Sequence, residues 1–375
     1  MGGLRVLVTS TDPAHSLADA LAQPLADAPT PVEVGAAHGR LQAQQIDAQA
    51  RLERHWGAVR GYLTTVLAAG GLDEVRAEEL VLLPGLDELF SLIDLRHRVM
   101  ADEHDLIVVD CAPTAETLRL LALPDALRWY ADRLLSSGRR LARVARPLGR
   151  SGGAGMPVPD DEVFDVVERV HRDLAGVHDL LQDSANTSVR LVTAPERLAV
   201  AETMRTATSL SLFGYAIDAV LVNRVLPDQL SDPYLTRWQA HHTEQLQRLR
   251  DAFAPLPVLE APLQDDEPIG VDALGALATV LHGQRSPEQV FHHRPPLRLE
   301  RDGEGHRLSL VLPFAVSDDL ELHRKGDQLH LRVAGVRRSL TLPAALHGAE
   351  VAGAHLRDGV LELRFTRSAA EAVAT

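Results

Sequence analysis

Short apolar runs that recur between helical patterns constrain this chain more than any other feature. They fall at Val6 to Val8, Leu106 to Val109, Val189 to Val192, Ile217 to Val222 and, more briefly, Val258-Leu259. Runs of this length without alternation suit strands buried on both faces, and strands of that kind separated by amphipathic helices form parallel sheets. Helical spacing fills the gaps at Ala48 to Ala68, Ala77 to Met100 and Asp161 to Gln182. Leu86, Leu89, Phe90 and Ile93 lie on one such stripe, which reads first as a core-facing helix face. Ser151-Gly152-Gly153-Ala154-Gly155-Met156-Pro157 sustains neither pattern and reads as a loop between helices.

After Gly283 the chain turns polar and carries prolines as far as His292-His293-Arg294-Pro295-Pro296, a composition that suits an interdomain linker. The histidine pair reads as solvated rather than as a metal site. Beyond it the period becomes two: Leu308/Leu310/Leu312, Leu320/Leu322, Leu329/Leu331/Val333, Leu340/Leu342 and Leu361/Leu363/Phe365 alternate with polar residues. Turns at Lys325-Gly326-Asp327 and Arg357-Asp358-Gly359 separate them, which predicts an antiparallel β-sandwich over 297–367 and a frayed tail over 368–375.

Composition limits the function classes. With Lys+Arg 38 against Asp+Glu 52 the net charge is -14, which repels a phosphate backbone, so nucleic acid is not an expected partner. No stretch approaches the roughly 20 apolar residues of a membrane-spanning helix, and the start of the chain reads as a strand rather than a signal peptide, so a cytoplasmic location is expected. Cys111 is the only cysteine. It excludes an internal disulfide and a zinc site built on paired cysteines within one subunit, and it is expected to be small and buried.

Two carboxylates fall where ligands gather in open α/β sheets, at the carboxyl ends of strands. Leu106 to Val109 closes on Asp110-Cys111-Ala112-Pro113-Thr114, and Arg5 to Thr9 runs into Ser10-Thr11-Asp12-Pro13-Ala14-His15-Ser16. An aspartate before proline also caps helices. Two acidic loops at one kind of edge nevertheless point to a site for a nucleotide with Mg²⁺.

Asp12-Pro13-Ala14-His15-Ser16-Leu17-Ala18-Asp19 and Asp110-Cys111-Ala112-Pro113-Thr114-Ala115-Glu116-Thr117-Leu118-Arg119 together resemble the arsenical pump-driving and tail-anchored-protein targeting ATPases. Leu83-Pro84-Gly85-Leu86-Asp87-Glu88, Val222-Asn223-Arg224 and Ala261-Pro262-Leu263 extend the likeness, which covers roughly residues 4–282. Leu312-Pro313-Phe314, Leu342-Pro343 and Ala354-His355-Leu356-Arg357-Asp358-Gly359-Val360-Leu361 are similar to an α-crystallin, or small heat-shock, domain. The resemblance implies an α/β fold with a mostly parallel sheet of P-loop NTPase type, helices on both faces and a helical insertion, followed by an all-β α-crystallin-like sandwich. The domain boundaries that follow are an ATPase-like domain over 1–283, with a helical client-binding region over about 48–100 and 118–182, a linker over 284–296 and the sandwich over 297–367.

The same resemblance assigns roles. Asp12 is the catalytic residue that orients the attacking water, within a switch I of Asp12, Pro13, Ala14, His15 and Ser16. Asp110 is the Walker B carboxylate that holds Mg²⁺ through its water shell. Ala112, Pro113, Thr114 and Thr117 form switch II, which senses the terminal phosphate of ATP. Asn223 reads the adenine, with Pro262 and Leu263 beside it. The implied activity is ATP hydrolysis with ATP and Mg²⁺ as cofactors, coupled in a homodimer to binding of a hydrophobic client segment, so that membranes are met only through a client or partner.

Leu118 to Leu135, rich in Leu120, Leu121, Leu127, Trp129 and Tyr130, reads by itself first as a core-facing stripe, and the resemblance, by its position after switch II, implies a client surface there. The departures are equally specific. The glycine-rich phosphate loop with its lysine is not in this sequence, and the expectation is a start shortened by a strand, that loop and most of one helix. Ala115 and Glu116 stand where the family shows glycine and histidine. No protein zinc site is expected. The rival readings are a nucleotide-independent chaperone acting through the sandwich, and the energising subunit of an anion (arsenite) pump.

Overall fold

A computed structural model describes residues 3–11, 16–34, 40–46, 86–111, 161–303 and 305–366. The chain divides into two compact units, Met1–Leu180 with Ile269–Asp272, and Leu181–Pro268 with Ala273–Thr375.

In the first unit, β1 (Arg5–Ser10) lies inside a four-stranded sheet of order β2-β3-β1-β4. β3 (Arg40–Gln45) and β4 (Leu106–Asp110) run parallel to β1, whereas β2 (Thr30–Val32) pairs antiparallel with β3. Val6 and Leu7 are buried, as an unbroken apolar run requires. Asp105 sets the register at the amino end: its carboxylate accepts from the Arg5 backbone N–H and guanidinium, both at 2.7 Å. Those bonds hold the Asp105 carboxyl down at about 2. Helix α1 (Ser16–Leu21) follows β1, and α2 (Leu86–Ala101) precedes β4. In α3 (Asp161–Gln182), Gly176 leaves the space that the Arg96 guanidinium occupies, and Arg96 reaches Asp173 at 3.0 Å.

The second unit begins with a parallel sheet of order β5-β6-β7, from β5 (Val189–Thr193), β6 (Ile217–Val225) and β7 (Val258–Pro262). Its helices are α4 (Arg197–Leu212), α5 (Pro233–Phe253) and α6 (Val271–His282). Helix α4 is buried although polar, because Thr203, Thr206 and Ser209 turn their hydroxyls back onto carbonyls one turn earlier. Asp232 caps α5 by accepting from Tyr234 and Leu235 N–H at 2.8 and 3.1 Å, with Pro233 at the first helical position.

Among the described residues the parallel strands lie in a sheet of each unit, β2-β3-β1-β4 and β5-β6-β7. Among the described residues β4 pairs only with β1 and β5 only with β6, which leaves each with an open edge. Val108 on β4 is 44% exposed and Val192 on β5 is 66% exposed, where fully buried runs were expected. A strand with one neighbour loses the cover that a second strand and its helix would supply.

The sandwich pairs a sheet of order β10-β11-β12 with one of order β13-β14-β9-β8, all neighbours antiparallel. The strands are β8 (Leu297–Asp302), β9 (Gly305–Val311), β10 (Leu320–Lys325), β11 (Gln328–Val333), β12 (Val336–Thr341), β13 (Glu350–Arg357) and β14 (Val360–Thr366). Asp358 and Gly359 both take positive φ, 49° and 69°, the two-residue turn whose twist matches a hairpin. The predicted alternation fills the core: Leu310, Leu312, Leu329, Leu361 and Phe365 are almost wholly buried.

Leu212, the last residue of α4, belongs to that same core. Around it Arg338 of β12 donates to the Leu212 carbonyl and lies over the Phe213 ring, Thr208 donates to the Pro313 carbonyl, and Phe253 meets Phe314 edge-on at 5.2 Å. The polar segment before β8 is also tied down. Asp218 of β6, fully buried, pairs with Arg190 of β5 at 3.3 Å and accepts from the Phe291 N–H, while Arg190 donates at 2.7 Å to the carbonyls of both Pro287 and Gln289. The sequence reading of this stretch as a linker did not include that attachment.

Two predictions follow from these contacts. Arg190→Met strands a buried carboxylate and should cost about 3–5 kcal/mol in denaturant unfolding, with new proteolytic cleavage between Gly283 and Pro296. Asp105 has a folded pKa below its unfolded value, so its stabilisation is complete above about pH 4 and fades as the pH falls towards about 2. The stability gap between the natural protein and Asp105→Asn should narrow across that window.

Candidate functional site

The carboxyl ends of β1, β3 and β4 carry one polar row. The parallel register sets Ser10 beside Gln45 on one side and beside Asp110 on the other, so all three share a face of the sheet. Ser10 Oγ donates to Asp110 Oδ2 at 3.3 Å, and the Thr11 N–H donates to the Asp110 carbonyl at 3.0 Å, so the chain leaving β1 passes directly over the end of β4. Asp110 itself is exposed, as a carboxylate that takes a hydrated cation must be. Cys111 follows it and is exposed as well, contrary to the expected burial, because the strand has ended.

At the second unit's sheet, β6 bulges between Val222 and Val225, and Arg224 takes a positive φ of 58°. The Arg224 N–H donates to Asn223 Oδ1 at 2.8 Å. That bond commits the amide oxygen, and because Asn223 is exposed its two N–H groups are open to an acceptor on a ligand. Val225 pairs with Pro262, and the Leu263 N–H donates to the Val225 carbonyl at 2.8 Å, which brings Asn223, Pro262 and Leu263 to one edge. Leu263 is 47% exposed and offers an apolar surface there.

Sequence reasoning did not single out His242. From α5 its Nδ1 accepts the Leu226 N–H at 3.3 Å, immediately after the Asn223 strand. Burial pushes its pKa below the ordinary histidine value, which keeps the ring neutral and able to accept. Gln239 secures the same loop by donating to the Pro227 carbonyl at 3.0 Å. The pair His241-His242 on a polar helix gives no signal of which ring takes this role before the loop folds against it.

Asp12, Pro13, Ala14 and His15 of the expected switch I, and Ala112, Pro113, Thr114 and Thr117 of switch II, lie outside the described residues. Ser16, the last switch I residue, opens α1 and is exposed. Leu118 to Leu135 and the 48–85 part of the helical region also lie outside them. Among the described residues no cluster of three or more histidine, cysteine or acidic side chains could hold a metal ion by itself, and no helix is long and apolar enough to cross a membrane.

Taken unit by unit, the donors at the Asp110 edge are of a kind that suits Mg²⁺, and those at the Asn223 edge are of a kind that suits a base. A lone carboxylate with a neighbouring hydroxyl suits an ion that keeps most of its water, the buried amide nitrogen of Gln45 has no hydrogen-bond partner, and Asn223 with Leu263 suits a base that is both polar-edged and flat. The phosphate cradle has no counterpart in residues 1–375.

Comparison with known proteins agrees with this chemistry. Residues 1–283 match the anion-transporting ATPase family model, and residues 303–365 match the model of the HSP20-like domain found in that family. A protein of Prosthecochloris vibrioformis named as an arsenical pump-driving ATPase is 34% identical over 365 residues, which cover 97% of this chain and 89% of that protein. An uncharacterized protein of Streptomyces coelicolor is 38% identical over 97% of this chain and 90% of its own length. The ATPase ASNA1 homolog of Trypanosoma cruzi is 29% identical over 74% of this chain and 79% of its own. With a carboxylate row at one sheet edge, an amide with an apolar neighbour at another, and a family model spanning residues 1–283, this chain belongs to the anion-transporting ATPase family, carries that family's HSP20-like domain, and is by this resemblance an ATP hydrolase.

Proposed function

We propose that this protein is a cytoplasmic homodimer that couples ATP binding and hydrolysis to capture of a hydrophobic protein segment. The observation that carries the coupling is strand β6. At its carboxyl end it bears Asn223, and near its start the buried Asp218 accepts from the segment that leads into the HSP20-like domain. One rigid strand thus touches the base-reading edge and the root of the second domain. Leu212 extends the connection by completing the sandwich core.

Bound Mg²⁺·ATP supplies the transferable phosphoryl group. Asp12 accepts a hydrogen bond from water and fixes its orientation, which suits a reaction catalysed mainly by positioning and electrostatics. Asp110, steadied by Ser10, presents its carboxylate to the cation's water shell. Asn223 donates to the base while its oxygen stays committed to Arg224, and Leu263 covers the base's face. The apolar stretch Leu118 to Leu135, continuing from switch II, takes the client. The HSP20-like domain adds sheet edges, β8 and β13 in one sheet and β10 in the other, that an extended segment could join.

The Prosthecochloris relative is named for driving an arsenical pump. With Cys111 as its one thiol, this chain has no cluster of cysteines to hold arsenite, so a protein client is the better-supported substrate.

The test is ATP turnover by the purified protein with and without a soluble apolar peptide. Turnover should respond to the peptide and ignore arsenite, and Asp12→Asn should lower kcat by about a hundredfold or more with the unfolding transition retained. Absence of turnover, with client aggregation suppressed equally with and without ATP, would replace this reading with the nucleotide-independent chaperone.

A further inference from the structure

Strand β3 ends in a run that a buried parallel strand rarely carries, Gln42-Ala43-Gln44-Gln45, and the fates of its three glutamines differ. Gln42 is hydrogen-bonded to His104 Nε2 at 2.8 Å. Gln44, on the same face as Gln42, donates to the Asp27 carbonyl at 2.8 Å. Gln45 is only 7% exposed, and its amide nitrogen is fully buried with no partner. A buried donor in that state lowers stability, and native proteins seldom keep one without a use.

Its position supplies the use. Gln45 lies in the row with Ser10 and Asp110, on the face that bears the Asp110 carboxylate. The Ser10 hydroxyl is already committed to Asp110. That leaves Gln45 Nε2 as the uncommitted donor of the row. Gln45 and Asp110 are separated by β1, so their backbones lie two strand spacings apart, about 9.6 Å. That gap accommodates one phosphate group between an amide and a cation held at the carboxylate. A neutral N–H matches an anionic oxygen, and the chain that leaves Ser10 towards Asp12 starts beside Gln45 in the register.

We infer that Gln45 is a further nucleotide-contacting residue, its side-chain amide donating to the terminal phosphate and so separating ATP from ADP. This rests on the nucleotide reading of the site. The rival explanation is a trapped water on the amide, which makes no distinction between the two nucleotides.

The experiment titrates fluorescent, non-hydrolysable ATP and fluorescent ADP against the natural protein, Gln45→Met, Gln45→Glu and Gln44→Met, with thermal unfolding of each in the absence of nucleotide. Gln45→Met keeps the side chain's length and removes the orphan donor. It should unfold at the same temperature or higher, bind ATP about tenfold to a hundredfold more weakly, and bind ADP within about threefold of the natural protein. Gln45→Glu, which sets a charge against the phosphate, should lose ATP further still. Gln44→Met should unfold at a lower temperature with the ATP-to-ADP preference intact. Should Gln45→Met not fold, Gln45→Glu decides the matter by the same ratio. An unchanged ATP-to-ADP preference in the Gln45 variants overturns the inference while leaving the ATPase reading in place. If the natural protein binds neither nucleotide, that reading falls and this inference with it.

Discussion

The carboxylate of Asp218 is the constraint on which the second unit depends. A charge wholly removed from water is tolerated only where its attraction and hydrogen bonds offset desolvation, and here three donors meet it: Nε and Nη2 along one edge of the Arg190 guanidinium, and the Phe291 N–H. Arg190 is in turn committed, its remaining N–H groups held by the Pro287 and Gln289 carbonyls and its plane 5.0 Å from the Phe291 ring. An apolar pair of the same volume would hold β5 to β6 equally well. It would leave the backbone groups of the polar segment without partners, and the path into the sandwich unspecified.

That path explains why compactness and chain order divide this protein differently. The family models place a boundary between residue 283 and residue 303, yet Leu181–Pro268 clusters with the sandwich and not with Met1–Leu180. The cause is α4. Its inward hydroxyls satisfy their own helix, so a sequence rich in threonine and serine can be buried, and its end then offers two things the sandwich lacks. Leu212 fills the sandwich core, and the helix's terminal carbonyls, which have no partner within the helix, receive the Arg338 guanidinium. The sandwich contributes Phe314 against Phe253 in return.

Legibility of the candidate site followed the same division between local and assembled chemistry. Asp110 and Asn223 each close an apolar strand, and a strand end is visible in sequence because the apolar run stops there. Gln45 closes a strand too, but β3 is written in glutamines, so no run exists to stop. β3 was missed for that reason, and β2 because Thr30-Pro31-Val32 is too short to form a run. Buried glutamine is legible only once Asp27, His104 and the neighbouring strand are in place to show which amides are satisfied. His242 is a similar case: its acceptor role exists only because α5 packs against the turn that follows β6.

Features of short physical range are written in the chain before it folds. Period-two alternation dictated the sandwich, apolar runs dictated five parallel strands, and Asp358-Gly359 dictated a hairpin turn, because each depends on neighbours a few residues away. Assembly of the chain settled the rest: among the described residues Val108 and Val192 are exposed on strands with one neighbour, a polar segment is bound to a buried aspartate, and Leu212 belongs to a domain starting some eighty residues later. These outcomes turn on which distant surfaces meet, and on whether each buried polar group finds a partner when they do; no local pattern encodes that.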